Sequence, residues 1–318
     1  MGCEVYFFSS ASYQDVKREE NCDQLFSVYE DKKQIKNVID YRKEHPEYTG
    51  KIMIDSGAYS LYQKYKKEGK SLPDSELKKY VDDYIDFLNE YGEEFFVFVG
   101  VDSVPNPLDV DQTFAQKTWD NYLYMYNKLR PEIRNKLMPV FHFGEDFKWL
   151  DNMLEFIHPD GHHVEYVGLA ISLEDNKKVR IEWAQKCMSM IKKSSNPDVK
   201  THAFGVGVKN VLENINVTST DATSWVMRAS YGMIAIDDRA YFVSSVRKDM
   251  MDGSHYSEYN PAYKEAVEKE IERRGFTVEQ VASDAEYRAR FNIKDTLNWM
   301  KEIKGQKAEH MMSKVSLF

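Results

Sequence analysis

The sequence predicts an α/β chain folded as a (β/α)8 TIM barrel, with a C-terminal α-helical appendage and no zinc subdomain. Two observations predict this. Short apolar runs that end in polar or glycine-bearing tips recur through residues 51–60, 97–103, 138–144, 166–172, 202–207 and 217–221. These runs alternate with stretches of helical periodicity, the pattern of parallel strands joined by crossover helices. In such a barrel every strand tip lies on one face, and the chemistry sits there.

The elements follow in order. Residues 4–10, rich in aromatics and ending in two serines, read as the first strand. Residues 12–30 are polar and irregular, and residues 33–45 have helical spacing. The run Lys-Ile-Met-Ile-Asp-Ser-Gly-Ala-Tyr-Ser at 51–60 is a buried strand that delivers Asp55 and Ser56 to a turn. Gly57 permits a backbone angle there that a side chain would oppose. The basic stretch at 62–70 reads as a solvated loop, or alternatively as a lid or phosphate contact on the active face. Residues 75–91 form an amphipathic helix capped by Asp74 or Ser75. The third strand is 95–101, closed off by Pro105 and Pro107, and a helix from about 110 to 129 carries an aromatic stripe suited to the core. The fourth strand (137–143) leads to a helix at 146–157, and the fifth (164–171) to a helix at 178–191. A sixth strand lies at 200–206, a short helix at 208–215 and a seventh strand at 216–220. Residues 233–236, Met-Ile-Ala-Ile, complete the count as the eighth strand. The barrel domain is thus 1–251. Residues 252–318 shift to charged helices at 261–274, 277–285 and 293–303.

The chain has 318 residues, 42% hydrophobic and 30% charged, enough for one large domain with a full core. No apolar run is long enough to span a membrane, and the start lacks the basic and apolar regions of a secretory leader. Cys3, Cys22 and Cys187 are too far apart for a disulfide framework or a Cys-x-x-Cys zinc site, so a reducing cytoplasm is expected. The Asn216-Val-Thr218 triplet is then a chance match to a glycosylation acceptor. A net charge of −9 disfavours broad attraction to phosphate backbones, although a local basic groove is compatible with it.

Asp55, Asp102 and Asp221 each end a different strand. Any one of them alone reads as well as a cap or turn former. Together with His142 and two glycine-bearing turns they suggest a shared cavity, where neighbouring carboxylates separate in proton affinity and one stays nucleophilic while another handles protons. Covalent displacement at a glycosidic carbon needs that arrangement. Gly205-Val-Gly207, between a strand and a helix, suits a close backbone approach to a flat ring or a phosphate. At Asp221-Ala-Thr-Ser-Trp225 a carboxylate stands beside two hydroxyls and an indole, and packing accounts for Trp225 equally well. The histidines of the 158–163 loop lack the spacing of a structural zinc site and read as a solvated turn.

At these residues the chain resembles the tRNA-guanine transglycosylase superfamily, especially the short phage and bacterial branch that installs 7-deazaguanines in DNA. The resemblance covers most of residues 50–230. It is carried by Ile-Asp-Ser-Gly-Ala-Tyr at 54–59, similar to the family's Asp-Ser-Gly-Gly-Phe turn, and by His-Ala-Phe-Gly-Val-Gly at 202–207, similar to its Gly-Val-Gly turn. Thr-Asp-Ala-Thr-Ser-Trp at 220–225 falls where the family carries its nucleophilic aspartate. The resemblance implies that Asp221 attacks the sugar and that Asp55 handles the proton when the incoming base enters. It places Ser56 and Gly57 in the substrate turn, Asp102 on the Watson–Crick edge of guanine, and His142 where a glutamine usually stands. Gly168 and Leu169 match part of a Gly-Gly-Leu segment whose backbone meets the base, and Phe204, next to Gly205, is a stacking wall. The implied partners are DNA, or tRNA, and a 7-deazaguanine base, with a homodimer left open. No cofactor or metal is implied, because no cysteine follows Cys187 to build the zinc site of the tRNA-acting members. A tRNA transglycosylase, a nucleoside glycosidase and a noncatalytic binding subunit are the competing readings.

Overall fold

The computed structural model describes residues 3–70, 72–103, 113–171, 176–246 and 255–315, with the side chains of 305–315 excepted. Its main sheet is all parallel and orders its segments β5-β4-β3-β2-β1-β9-β8-β7-β6. The segments are β1 (Val5–Ser9), β2 (Gln24–Ser27), β3 (Ile52–Asp55), β4 (Val97–Val99), β5 (Leu137–Met138), β6 (Val140–His142), β7 (Tyr166–Ala170), β8 (Lys200–Ala203) and β9 (Ser219–Ala222). β5 and β6 are one strand interrupted at Pro139, which has no N–H for the ladder. β5 pairs with β4, β6 pairs with β7, and Gly168 N–H donates to the Pro139 carbonyl at 2.8 Å. The sheet therefore closes on itself as an eight-stranded barrel, nine segments less one, in agreement with the fold read from the sequence.

The strand count is reached differently from the sequence reading. The second strand is Gln24–Ser27, inside the stretch that reads as polar and irregular. Gln24 is fully buried there, and its amide donates to the Tyr48 hydroxyl at 2.9 Å. Met233–Ile236 is a strand (β10), but it pairs antiparallel with β11 (Arg239–Phe242) outside the barrel. Asp237 and Asp238 join them with φ of 52° and 65°, both left-handed, as a two-residue hairpin turn of the primed type requires.

Strand alternation sorts the apolar residues into two layers. Val5, Phe7, Leu25, Met53, Val97, Val99, Met138, Val140 and Tyr166 fill the barrel interior. Tyr6, Phe8, Phe26, Ile52, Ile54, Phe98, Phe141, Val167 and Leu169 point outward and meet the helices. Those helices are α1 (Gln14–Glu19), α2 (Val28–Glu44), α3 (Ala58–Lys67), α4 (Asp74–Tyr91), α5 (Thr113–Lys128), α6 (Lys148–Glu155), α7 (Lys177–Lys193), α8 (Lys209–Asn214) and α9 (Ser224–Ser230). The basic stretch read as a loop is thus largely helical, because Gly57 turns the chain directly into α3 and Leu61 buries against the core. The aromatic stripe of α5 is core, with Trp119, Tyr122 and Tyr126 all buried. Pro105, Pro107, the first residues of the helix expected from 110, and Ser172 lie outside the described residues.

His158 is buried, stacked on Tyr126 with ring centroids 3.5 Å apart and bonded to the Tyr122 hydroxyl at 2.9 Å. It packs as a structural residue, so the 158–163 loop is only partly a solvated turn.

The C-terminal helices are α10 (Pro261–Arg273), α11 (Val278–Ser283) and α12 (Ala285–Val315). The boundary expected at 251/252 lies outside the described residues. The hairpin shares a core with these helices through Ile234, Tyr241, Val267, Ile271, Val281 and Phe291. α12 runs back over the barrel, where Trp299 meets the ring of Tyr6 on β1 edge-on at 5.7 Å. Asp295 accepts from the amides of Asp237 and Asp238 at 2.8 and 3.0 Å, which ties the hairpin turn to α12. Asn292, 1% exposed, donates to the carbonyls of Trp225 and Met233 and accepts from the Ala235 amide at 2.7 Å. Asn292→Ala would strand those buried backbone groups, so a loss of about 2 kcal/mol is expected by urea denaturation. Among the described residues no helix is long and apolar enough to cross a membrane.

Candidate active site at the C-terminal mouth of the barrel

Register brings the polar residues of several strands to one end. Phe7 pairs with Asp221, Ser27 with Asp55, His142 with Ala170, and Gly168 with His202. Phe7, Met53, Val140 and Phe204 belong to the interior layer, so by the two-residue strand period Ser9, Asp55, His142, His202 and Asp221 face the same interior near the strand C-termini. Asp221 lies within β9, one residue before its end.

Asp221 is 9% exposed and accepts three hydrogen bonds. The Ser9 hydroxyl donates to Oδ2 at 2.7 Å, and His202 Nε2 and the Gly205 amide reach Oδ1 at 3.2 and 2.9 Å. Gly205 turns with φ of +67°, a conformation that favours glycine and that aims its N–H back at the carboxylate. Behind His202, the Ser219 hydroxyl sits 2.8 Å from Nδ1 and 2.6 Å from the Tyr166 hydroxyl. With Nε2–H on Asp221, Nδ1 accepts from Ser219, and Ser219 in turn accepts from Tyr166, so every buried group in the row is satisfied. Burial alone would raise the proton affinity of Asp221. The hydrogen bond and electrostatic pull of His202, with the Gly205 amide and Ser9, outweigh it and hold the carboxyl below its usual range.

Asp55 has the opposite environment. Desolvation pushes its carboxyl up to about 7, and the charges of Asp102, Asp221 and Glu30 push the same way, against one bond from the Gly57 amide at 2.7 Å. Gly57 has φ of +72°, and a Cβ on it would lie 2.4 Å from Tyr29 Cβ. The neighbouring Ser56 is fully buried and accepts from the Ala58 amide at 3.3 Å, while its carbonyl accepts from the Tyr80 hydroxyl. The charges of Asp102 and Asp221 both act on Asp55, in keeping with strand tips that gather at one end of the barrel.

Asp102 lies three residues beyond β4 and bonds through Oδ2 to His142 Nε2 at 2.8 Å. His142 Nδ1 faces Glu145 Oε1 at 3.0 Å. Burial would lower the proton affinity of His142, but the two carboxylates outweigh it and lift it to about 9. Gly168 sits mid-strand, and a Cβ there would strike the Phe204 ring at 2.5 Å. Phe204 leans on His202 with centroids 4.6 Å apart, inside the mouth. Leu169 is buried in the outer layer, and its carbonyl takes the Phe204 amide at 3.0 Å. The backbones of Gly168 and Leu169 are therefore engaged in the ladder.

An open cavity of about 720 Å³ is lined by Tyr29, Glu30, Tyr59, Lys64, Lys67 and their neighbours. Glu30 belongs both to this cavity and to the charges acting on Asp55. Among the described residues no group of three or more His, Cys, Asp or Glu is arranged to hold a metal ion.

Ser9, Glu145, His202, Ser219 and Tyr166 have no functional role in the sequence reading. The parity of inward positions could have found His202, two residues before Phe204, and Ser9, two after Phe7. No protein-family model matches this chain, and no curated protein matches it in sequence.

Proposed function

We propose that this protein is a base-exchange transglycosylase that replaces guanine in DNA by a 7-deazaguanine through a covalent aspartyl-glycosyl intermediate. One observation carries the reading: two carboxylates at the same end of the barrel, one acting on the other by its charge, are driven to opposite proton affinities, Asp221 held below its usual range by three donors and Asp55 raised to about 7. A ready nucleophile beside a group that is half protonated near neutrality is what double displacement at a sugar carbon requires. In the first step an Asp221 oxygen bonds to C1′, the C1′–N9 bond breaks with its electrons on guanine, and protonated Asp55 supplies the proton. In the second step Asp55 takes the N9 proton of the incoming base, whose nitrogen bonds to C1′ as the ester bond to Asp221 breaks. The net change is one base for another.

DNA is favoured over tRNA because residues 222–318 contain no cysteine for the zinc site carried by the tRNA-acting members of the family that this sequence resembles. A paired guanine cannot reach this interior mouth without leaving the stack. The test is exchange of labelled guanine into single-stranded DNA, duplex DNA and tRNA in parallel. Label is expected in DNA, faster in single strands. Label in tRNA alone would overturn the polymer assignment, cleavage of free nucleosides without incorporation would indicate a glycosidase, and binding without exchange would indicate a noncatalytic partner.

A further inference from the structure

His142 is enclosed on both sides. Its ring nitrogens face oxygens of Asp102 at 2.8 Å and Glu145 at 3.0 Å, and the His142 and Glu145 side chains are each 2% exposed. The second Glu145 oxygen accepts from the His142 backbone amide at 2.9 Å. The turn that folds Glu145 back closes with its amide on the His142 carbonyl and needs Gly144 at φ of +93°. Asp102 is the member that meets solvent, with 17% of its side chain exposed.

We propose that Glu145 is a positioning residue for base recognition: through His142 it fixes Asp102 as an acceptor with one oxygen engaged and the other free to take N–H donors from the edge of a purine. Carboxylates only accept, so a ring nitrogen facing each one must carry hydrogen, and the ring between them is an imidazolium. Neither nitrogen is left to touch a ligand. His142 therefore acts on the base through Asp102, which favours a purine edge with adjacent N–H donors and penalises one that presents a lone pair there. The groups facing the ring are Asp102 from beyond β4 and Glu145 from the turn after β6, and its strand partner, Ala170 on β7, is uncharged. The inference rests on the base-exchange reading for the identity of the ligand, while the state of the ring does not depend on it.

Two readouts on the full-length protein test it: long-range proton–nitrogen NMR of the His142 ring, and calorimetric guanine binding with exchange kinetics from pH 6 to 8. In wild type both ring nitrogens are expected to be protonated at pH 7.5. Glu145→Gln removes one anion and should leave the ring neutral at pH 8. The ratio of variant to wild-type Kd should rise from near one at pH 6 to roughly tenfold at pH 8, the loss of about one charge-assisted hydrogen bond, with kcat within about twofold. Titration of Asp55 cancels in that ratio. His142→Gln, uncharged throughout, should weaken binding about equally at both pH values and keeps the test open if the first variant folds poorly. A neutral wild-type ring at pH 7.5 would overturn the proposal, as would an unchanged Kd ratio at pH 8 in an exchange-active protein. A wild type with the imidazolium in place that binds no guanine would overturn the recognition role and the base-exchange reading together.

Discussion

Asp221→Asn is expected to lower base exchange by roughly 10³-fold or more while the fold persists, because the variant loses the attacking anion and little else. The asparagine oxygen can keep the His202 Nε2–H and the Gly205 amide, and its NH₂ can face Ser9, whose hydroxyl rotates from donor to acceptor. Every buried partner therefore stays satisfied. Because the folded carboxyl of Asp221 sits below its usual range, its ionised form contributes stability above the ordinary carboxyl pKa, and that contribution is lost as pH falls through the folded value. The melting temperature should accordingly drop slightly at neutral pH and not at all in acid. Mass spectrometry after incubation with DNA should find a glycosyl adduct in wild type and none in the variant. Exchange at the wild-type rate in Asp221→Asn would remove the covalent mechanism.

The barrel is legible in the sequence because most of its strands are apolar on both faces, as parallel strands enclosed by helices must be, and so stand out as short runs. β2 escapes that signal: it has four residues, one is a glutamine whose burial depends on Tyr48, and the polar Asn-Cys-Asp before it masks the run. β10 was visible as a strand, but its partner is decided by the Asp237-Asp238 turn, a weaker form of the Asn-Gly and Asp-Gly hairpin signal. Of the site, the sequence exposes the acids at strand tips, since Asp55 and Asp102 follow apolar runs directly. It conceals what holds them. Ser9 and Asp221 lie 212 residues apart and meet only because β1 pairs with β9. Glu145 is only three residues from His142, but its role depends on a left-handed glycine folding it back onto the ring.

Asp55→Asn should separate activity from stability in opposite directions. Loss of the proton-handling group is expected to slow exchange by about 10²–10⁴-fold, the range for removing a general acid–base residue. The stability effect has the reverse sign. A carboxyl whose folded value is about 7 binds its proton more tightly in the native state than in the unfolded chain, where it is near 3.8. Stability from Asp55 is then fully present below the unfolded value and is lost as pH rises through about 7, after which the ionised group remains partly buried against the charges of Asp102, Asp221 and Glu30. Asparagine keeps the shape and carries no charge at any pH. The variant should match wild type near pH 4 and exceed it above pH 7 by on the order of 2 kcal/mol, a figure that allows for relaxation around a partly accessible carboxylate. Urea denaturation of both proteins from pH 4 to 8 reads the gap, and the same preparations give the exchange rates. An active-site acid held in an environment that opposes its charge gives this pairing of lost activity with gained stability. A stability gap that stays flat from pH 4 to 8 would show that Asp55 titrates as an ordinary carboxylate, and the division of roles between it and Asp221 would fall.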